Sequence, residues 1–286
     1  MGEIIDGKAV AARVRAEVAE RVLALQGVGV MPTLAVVLVG DDVPSQIYVR
    51  HKQRACDKVG IKSVVIRLPD STTHQELRSV IADLNGDDAV HAVLVQLPLP
   101  PQIHPQPIIR ALGPVKDVDG FHSVNMGEIT TSRPELQPCT PKGIMRLLKE
   151  YDVPLRGRHA VVIGRSRVVG RPMSSLLLAA DATVTTCHRH TPNTAELCSQ
   201  ADVLVVATGV PEMVKAEWVK PGAAVIDVGI TRRPEGGLVG DVDFAAVRER
   251  AALITPVPGG VGPMTIAMLL DNACLLAERA VRRSAR

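Results

Sequence analysis

The chain has 286 residues, 46% of them hydrophobic, and a formal net charge of +3, which is enough for two domains of ordinary size, each with its own core. So small a charge leaves no footprint for nucleic acid or a membrane surface, although it does not oppose small anions. Five cysteines (Cys56, Cys139, Cys187, Cys198 and Cys274) without a Cys-x-x-Cys pair argue against a disulfide framework or a zinc cluster and fit reduced thiols in the cytoplasm.

The amino terminus has no basic segment followed by an apolar run, so no signal peptide is expected. Asp6 stands where a myristoylation signal requires Ser or Thr. Val10, Val14, Val18, Val22 and Leu25 then fall on one face at helical spacing, and Gly27 stops the helix. Thr33–Val39 is a continuous apolar, β-branched run of the kind that parallel sheets bury on both faces. The alternation continues with a helix around 45–59, a strand over 63–68, a helix over 73–84 and a strand over 89–97. Gln96-Leu-Pro-Leu-Pro-Pro101 cannot be regular, because proline removes ladder donors and fixes the backbone. It reads as a stiff loop leaving a strand's carboxyl end, where open α/β sheets place ligands.

A Pro- and Gly-bearing stretch, 113–141, separates this half from the next. A helix over 142–151 precedes strands over 159–163, 183–187, 203–207, 224–228 and 252–255, with helical segments between most of them. The last helix, about 263–282, is expected to return and pack on the first half. Its most apolar part, 264–277, is too short to span a bilayer and carries Asp271 and Asn272. Arg282, Arg283 and Arg286 read as a solvated tail. The whole pattern gives two α/β domains with a cleft between them, residues 1–139 plus 266–286 and residues 140–265. The second is a Rossmann-type doubly wound parallel sheet.

Gly164-Arg-Ser-Arg-Val-Val-Gly170 is the clearest phosphate-binding candidate, since it follows a strand and opens a helix near Arg171-Pro172. A glycine turn lets backbone approach a pyrophosphate, and a helix amino terminus supplies free amides. Ser166 replaces the second glycine of Gly-x-Gly-x-x-Gly and the last glycine comes one residue late, so an ordinary strand-to-helix turn reads equally well. The next strand runs into His188-Arg189-His190, which is basic where NAD sites usually carry an acid. Arg189, with Arg165 opposite, suits a 2′-phosphate and favours NADP over NAD; the bland alternative is a solvated loop arginine.

Tyr48 and Lys52 are four apart on one helix and so share a face. A lysine pressed against apolar surface becomes a usable acid or base near neutrality, but two exposed helix residues would look the same. Asp117 and Asp119, in Lys116-Asp-Val-Asp-Gly-Phe121, fit metal ligands, turn formers before Gly120, or a carboxylate gripping an amidine-like ring edge. Turn formation is the simplest of the three. Thr255-Pro-Val-Pro-Gly-Gly-Val-Gly-Pro-Met-Thr265 must be a shaped loop; such loops either line sites or turn corners. Only Tyr48, Phe121, Tyr151, Trp218 and Phe244 are aromatic, so aliphatic side chains must build the core and a flat ligand finds few rings to stack on.

In order along the chain, the segments Tyr48-Val-Arg-His-Lys52, Val95-Gln-Leu-Pro-Leu-Pro100, Lys116-Asp-Val-Asp-Gly120, Pro138-Cys-Thr-Pro-Lys-Gly143, Gly164-Arg-Ser166 with Val169-Gly170, Ile226-Asp-Val-Gly-Ile230 and Thr255 to Thr265 resemble the bifunctional methylenetetrahydrofolate dehydrogenase/cyclohydrolase family. The resemblance runs from Asp6-Gly-Lys8 to the last helix. It implies a cytoplasmic enzyme of one-carbon metabolism and purine biosynthesis. That enzyme oxidises 5,10-methylenetetrahydrofolate with NADP and hydrolyses the methenyl product to 10-formyltetrahydrofolate.

By the resemblance, Lys52 corresponds to the catalytic lysine, Tyr48 to the tyrosine that stacks on folate, and Gln96 to the glutamine that keeps the lysine in its working protonation state. Asp119 corresponds to the carboxylate that grips the pterin, and Pro258 and Gly262 to further folate contacts. Gly164, Arg165, Ser166, Arg189 and Ile230 fall on the NADP positions. Relatives vary at the position of Arg189, which makes cofactor preference the least fixed transfer. The resemblance also implies a homodimer and no metal, and, with no segment like the synthetase domain fused to some relatives, no ATP-dependent formate activation is expected.

Three rival readings remain. A short-chain dehydrogenase also uses Tyr-x-x-x-Lys, but there the glycine loop precedes the pair, whereas Tyr48 lies far before Gly164. A folate dehydrogenase without hydrolase activity leaves Lys52 and Gln96 together unexplained. A non-catalytic NADP sensor accounts for 164–170 and Arg189 and leaves Tyr48, Lys52, Gln96 and Asp119 without purpose.

Overall fold

The computed structural model describes residues 1–131, 134 and 136–284. In chain order, the first elements are β1 (Glu3–Ile4), α1 (Gly7–Gly27), β2 (Thr33–Val39), α2 (Val43–Val59), β3 (Lys62–Leu68), α3 (His74–Gly86), β4 (Ala92–Val95), α4 (Pro105–Ala111) and α5 (Ser123–Thr130). Next come α6 (Cys139–Glu150), β5 (His159–Ile163), α7 (Gly170–Ala179), β6 (Thr183–Cys187), α8 (Thr194–Cys198), β7 (Val203–Val206) and β8 (Ala224–Asp227). The chain ends with β9 (Thr231–Arg232), β10 (Leu238–Val239), α9 (Phe244–Arg248), β11 (Leu253–Ile254) and α10 (Val261–Ser284).

The chain packs as two compact units, one of residues 13–127 with 266–286, the other of residues 1–12 with 128–265. The sequence pattern assigned residues 1–12 and 128–139 to the first half; in the structure they belong with the later residues. The physical reason at the amino end is a backbone pairing. β1 is two residues long and lies parallel to β11 with Glu3 opposite Leu253, and so short an edge strand has no periodicity to read.

The 13–127 unit is built on a three-stranded parallel sheet in the order β3-β2-β4. All of β2 is buried, as its unbroken apolar run requires, whereas the edge strand β3 alternates between exposed and half-buried residues. β4 is shorter than the sequence suggests and ends at Val95, where Gln96 turns away into the proline-rich loop. Beyond β4 the sheet gains a single bridge, Val93 to Asp117, with Val93 N–H donating to Lys116 O at 2.7 Å. That bridge brings the Asp117–Gly120 turn to the sheet. Helix starts follow local chemistry: Asp42 caps α2 by accepting from Ser45 N–H at 2.9 Å, and Thr73 and Glu76 form a capping box on α3.

α10 contains 24 residues, close to the helix expected over 263–282, but its apolar stretch runs beyond 264–277, and by length and composition it is long and apolar enough to cross a membrane. Its apolar residues from Ala267 to Ala277 are instead buried in the fold, apart from the half-buried Leu275. Within this unit Asn272 donates to Val118 O at 2.9 Å, and Arg21 of α1 forks onto Glu278 at 2.8 and 3.0 Å while also bonding Asp271. The return of the last helix onto the first half is therefore observed. Arg282 and Arg283 are exposed; Arg286 lies outside the described residues.

The other unit holds a six-stranded parallel sheet in the order β1-β11-β8-β7-β5-β6, together with the antiparallel pair β9 and β10. Its core is aliphatic, with Val161, Ile163, Leu204, Val206, Val225 and Ile254 all nearly inaccessible and only Trp218 and Phe244 adding rings at its margin. All five cysteines are free and buried. The chain leaves β5 first to one side, to β6, and then to the other, to β7, so β5 marks the topological switch point. β2 plays the same part between β3 and β4 in the first unit. Ligands of open α/β sheets bind beyond the carboxyl ends of the strands at such points.

Candidate active site

Tyr48 and Lys52 stand on α2 beside its buried stripe of Ser45, Val49, Cys56 and Val59. Tyr48 is 52% exposed and Lys52 half-buried. The Lys52 ammonium donates to Gln96 Oε1 at 3.0 Å. Gln96 is buried at the end of β4, and its own amide nitrogen donates to Leu97 O at 2.6 Å. That second bond fixes which way the amide faces, because only the oxygen can accept from an ammonium. The expected lysine–glutamine pair is therefore in contact, and it sits at the carboxyl end of a strand adjoining the switch point.

Asp119 lines a mostly apolar recess with Leu97, Leu99, Phe121, Val95 and Ile108. Leu97 and Leu99 come from the loop directly after Gln96, so the proline-rich segment forms one wall of the recess. Asp117 lines the same recess, but its carboxylate is engaged by its own turn. It is buried, and its carboxylate accepts from His122 N–H at 2.7 Å and the Asn125 amide at 2.9 Å. Burial raises its pKa, and these donors oppose the rise. Asp117 is thus the turn former of the pair. Gly120, at φ +71°, completes the turn.

In the other unit, the Gly164 turn follows β5. Gly164 has φ +122°, and a Cβ there would lie 2.3 Å from Ala207 O; one on Gly170 would lie 2.1 Å from Gly164 O. Both positions demand glycine because backbone meets backbone, which is the cradle a dinucleotide needs. Ser166 explains why the second glycine can be missing. Its hydroxyl accepts from Val169 and Gly170 N–H at 3.1 and 3.3 Å, and its carbonyl accepts from Arg171 N–H at 3.0 Å. The start of α7 therefore does not offer the row of free amides the sequence suggested, since Ser166 already holds three of them. Arg165 and Arg189 are exposed at this edge, as are Arg167 and Arg171 of the same turn. Gly164 N–H donates to Cys187 O at 2.8 Å, which ties the glycine turn to the end of β6, just before His188-Arg189.

Ile230, 51% exposed, lies within van der Waals reach of Gly262, whose Cβ would come 3.5 Å from the Ile230 Cδ1 atom. Pro258 is exposed on the same loop, which folds back through Gly260 N–H to Pro256 O at 2.8 Å. A cofactor candidate and a folate candidate of the sequence reading are thus neighbours within this unit.

Sequence reasoning passed over two buried acids, Asp227 and Asp241. Asp227 lay inside a quoted motif without a role, and Asp241 was marked only by the glycine before it, a weak signal. Among the described residues, no group of three or more His, Cys, Asp or Glu side chains could hold a metal ion.

A parallel sheet with a glycine cradle at its switch point, and a second α/β unit carrying a lysine–glutamine pair above an aspartate-lined recess, define a dinucleotide-dependent enzyme of two α/β units. Residues 5–119 match the catalytic domain of tetrahydrofolate dehydrogenase/cyclohydrolase, and residues 138–281 match the NAD(P)-binding domain of the same family. The chain is 53% identical to the bifunctional protein FolD 2 of Geobacter sulfurreducens over 98% of each chain. It is also 53% identical to the bifunctional protein FolD of Campylobacter concisus, over 99% of this chain and 100% of that one. The solved FolD structure from Campylobacter jejuni superimposes with a TM-score of 0.96 at 46% identity, covering 98% of this chain and 99% of that one. The Trypanosoma brucei enzyme, complexed with NADP cofactor and inhibitor, gives 0.93 at 40% identity over 98% and 99%. The chain belongs to the tetrahydrofolate dehydrogenase/cyclohydrolase family.

Proposed function

We propose that Lys52, oriented by Gln96, is the acid–base group for the second of two reactions this chain performs. The chain oxidises 5,10-methylenetetrahydrofolate to the methenyl form with NADP and hydrolyses that product to 10-formyltetrahydrofolate. NADP, when bound, supplies the hydride acceptor. The nitrogens flanking the methylene carbon drive hydride departure themselves, so oxidation asks the protein chiefly for positioning. We assign that positioning to Gly164, Arg165, Ser166, Arg189 and Ile230 for the dinucleotide. Tyr48, Asp119, Pro258 and Gly262 do the same for the folate, with Asp119 gripping the pterin edge. The glycine cradle and its two arginines support the NADP assignment, since Arg165 and Arg189 suit a 2′-phosphate.

Hydrolysis makes a different demand. Water adds to the methenyl carbon and loses a proton; the ring nitrogen must then gain one as its bond to that carbon breaks, and the hydroxyl gives up its own to become the formyl carbonyl, so that one proton is released overall. Lys52 is the group to carry the proton to that nitrogen, and the single observation supporting it is the 3.0 Å bond to a glutamine whose orientation is locked. Lys52→Met, assayed for both activities, should lower hydrolysis of methenyltetrahydrofolate by roughly 100-fold or more, with a much smaller loss in oxidation. Equal losses, or none, would reject the assignment. The chain is further proposed to be a soluble cytoplasmic homodimer, in keeping with its modest charge and buried reduced thiols.

A further inference from the structure

Two buried carboxylates at the carboxyl edge of the six-stranded sheet take no part in the chemistry above. Asp227 ends β8 and is 3% exposed; Asp241 follows β10 and is fully buried. Neither makes an ion pair among the described residues. Each is held instead by hydrogen-bond donors. Asp227 Oδ1 accepts from Gly229 N–H and Asp241 N–H, both at 2.9 Å, and Oδ2 accepts from Val242 N–H at 3.0 Å. Asp241 Oδ2 accepts from Thr208 N–H at 2.6 Å, the Thr208 hydroxyl at 2.9 Å and Gly209 N–H at 2.8 Å. The two acids form a relay: Asp227 fixes the backbone of Asp241, and Asp241 fixes the loop after β7.

Backbone is pressed directly onto both carboxylates. A Cβ on Gly240 would lie 1.9 Å from Asp227 Oδ2, and one on Gly229 2.1 Å from Asp241 Oδ1. That Oδ1 is buried with no hydrogen-bond partner. Burial, with the charge of Asp241 adding to it, pushes the Asp227 carboxyl up to about 6. A fold that needed only filler here would use apolar side chains, because a buried acid without a cation is costly.

The loops tied by this relay lie at the carboxyl ends of β7 and β8, on the edge where open α/β sheets take their ligands. β7 and β5 are neighbours, and the Gly164 turn packs against Ala207, one residue before Thr208. Beyond the tied residues each loop presents one apolar side chain, Val210 at 50% exposure and Ile230 at 51%. Val210 N–H in turn donates to the Thr208 hydroxyl at 3.1 Å.

We propose that Asp227 and Asp241 are positioning residues for the dinucleotide. They hold the loops Thr208–Val210 and Val228–Ile230 so that Val210 and Ile230 stand at the carboxyl edge of the sheet as aliphatic contacts for a cofactor ring. This assignment rests on the NADP reading and extends it to residues that do not themselves touch the cofactor. In a chain so poor in aromatic residues, the flat ring must be held by aliphatic side chains, and their placement depends on the backbone beneath them.

The test uses the full-length enzyme with NADP titrated in the oxidation assay, and hydrolysis of methenyltetrahydrofolate measured without cofactor. Asp241→Asn should raise the KM for NADP about tenfold or more, with hydrolysis within twofold of the parent. Thr208→Val, which removes only hydroxyl bonds, should raise it several-fold and keeps the test decisive if the first variant fails to fold. An NADP KM within twofold of the parent in Thr208→Val would overturn the proposal, as would equal loss of both activities in a folded variant. Absence of NADP-dependent oxidation in the parent enzyme would instead overturn the reading on which it rests.

Discussion

At the scale of single residues, the site shows how orientation is fixed by a neighbour's second bond. Gln96 can present an acceptor to Lys52 only because its nitrogen is engaged by Leu97 O. Asp227 shows the cost of such fixing. Its folded-state pKa of about 6 lies above the value near 3.9 expected for an unfolded chain. The folded protein therefore binds this proton more tightly, and the residue's contribution to stability falls as pH rises from about 4 to about 6, then stays level. Ionised at neutrality, it costs about 3 kcal/mol. Asp227→Asn removes the titration as well as an acceptor. The stability of the parent relative to this variant, from urea unfolding, should thus decline by about 2 kcal/mol between pH 4 and pH 7. A difference that stays constant or grows over that range would show that the buried carboxyl does not titrate as its surroundings require.

At the scale of elements, the turn between β5 and α7 was legible in outline and wrong in one detail. Glycines at 164 and 170, at a strand's end and a helix's start, identify a close backbone approach. The sequence could not show that Ser166 would take up the amides of Val169, Gly170 and Arg171, because a hydroxyl's choice of partner depends on how the loop closes. Gly164→Ala must place a Cβ against Ala207 O in a backbone conformation L side chains rarely adopt. It should cost about 1–3 kcal/mol in thermal or urea unfolding and weaken NADP binding with it. A variant of parental stability and affinity would mean the turn is not pinned by that contact. The long helices and strands were read closely: Thr33–Val39, His159–Ile163 and Thr183–Cys187 have the bounds their periodicity gave. β1, β9 and β10 escaped notice because two residues carry no period.

At the scale of the whole molecule, two parallel sheets each change winding direction at an interior strand, β2 in one unit and β5 in the other. The glycine cradle and the relay of Asp227 and Asp241 both lie in the β5 unit. NADP at about 100 times its Kd should therefore add about 2.7 kcal/mol of stability to that unit. Hydrogen exchange should slow at backbone amides of β5 and β7, including Val161, Val162, Leu204 and Val205, and much less in β2 and β4. Equal protection of both sheets, or protection confined to β2 and β4, would place the cofactor elsewhere.

The sequence by itself determined the alternation of strands and helices, the aliphatic core and the glycine turn, because periodicity and backbone-permissive residues are local properties. Only the tertiary structure decided that residues 1–12 join the later unit, that Asp117 and Asp119 line one recess with the Asp117 carboxylate engaged by its own turn, and that two unnoticed acids bind the loops beside the cradle. Each of those depends on which backbone groups from distant stretches of chain come within hydrogen-bonding distance. Strand pairing and chain return set that distance, and neither is written in any single segment.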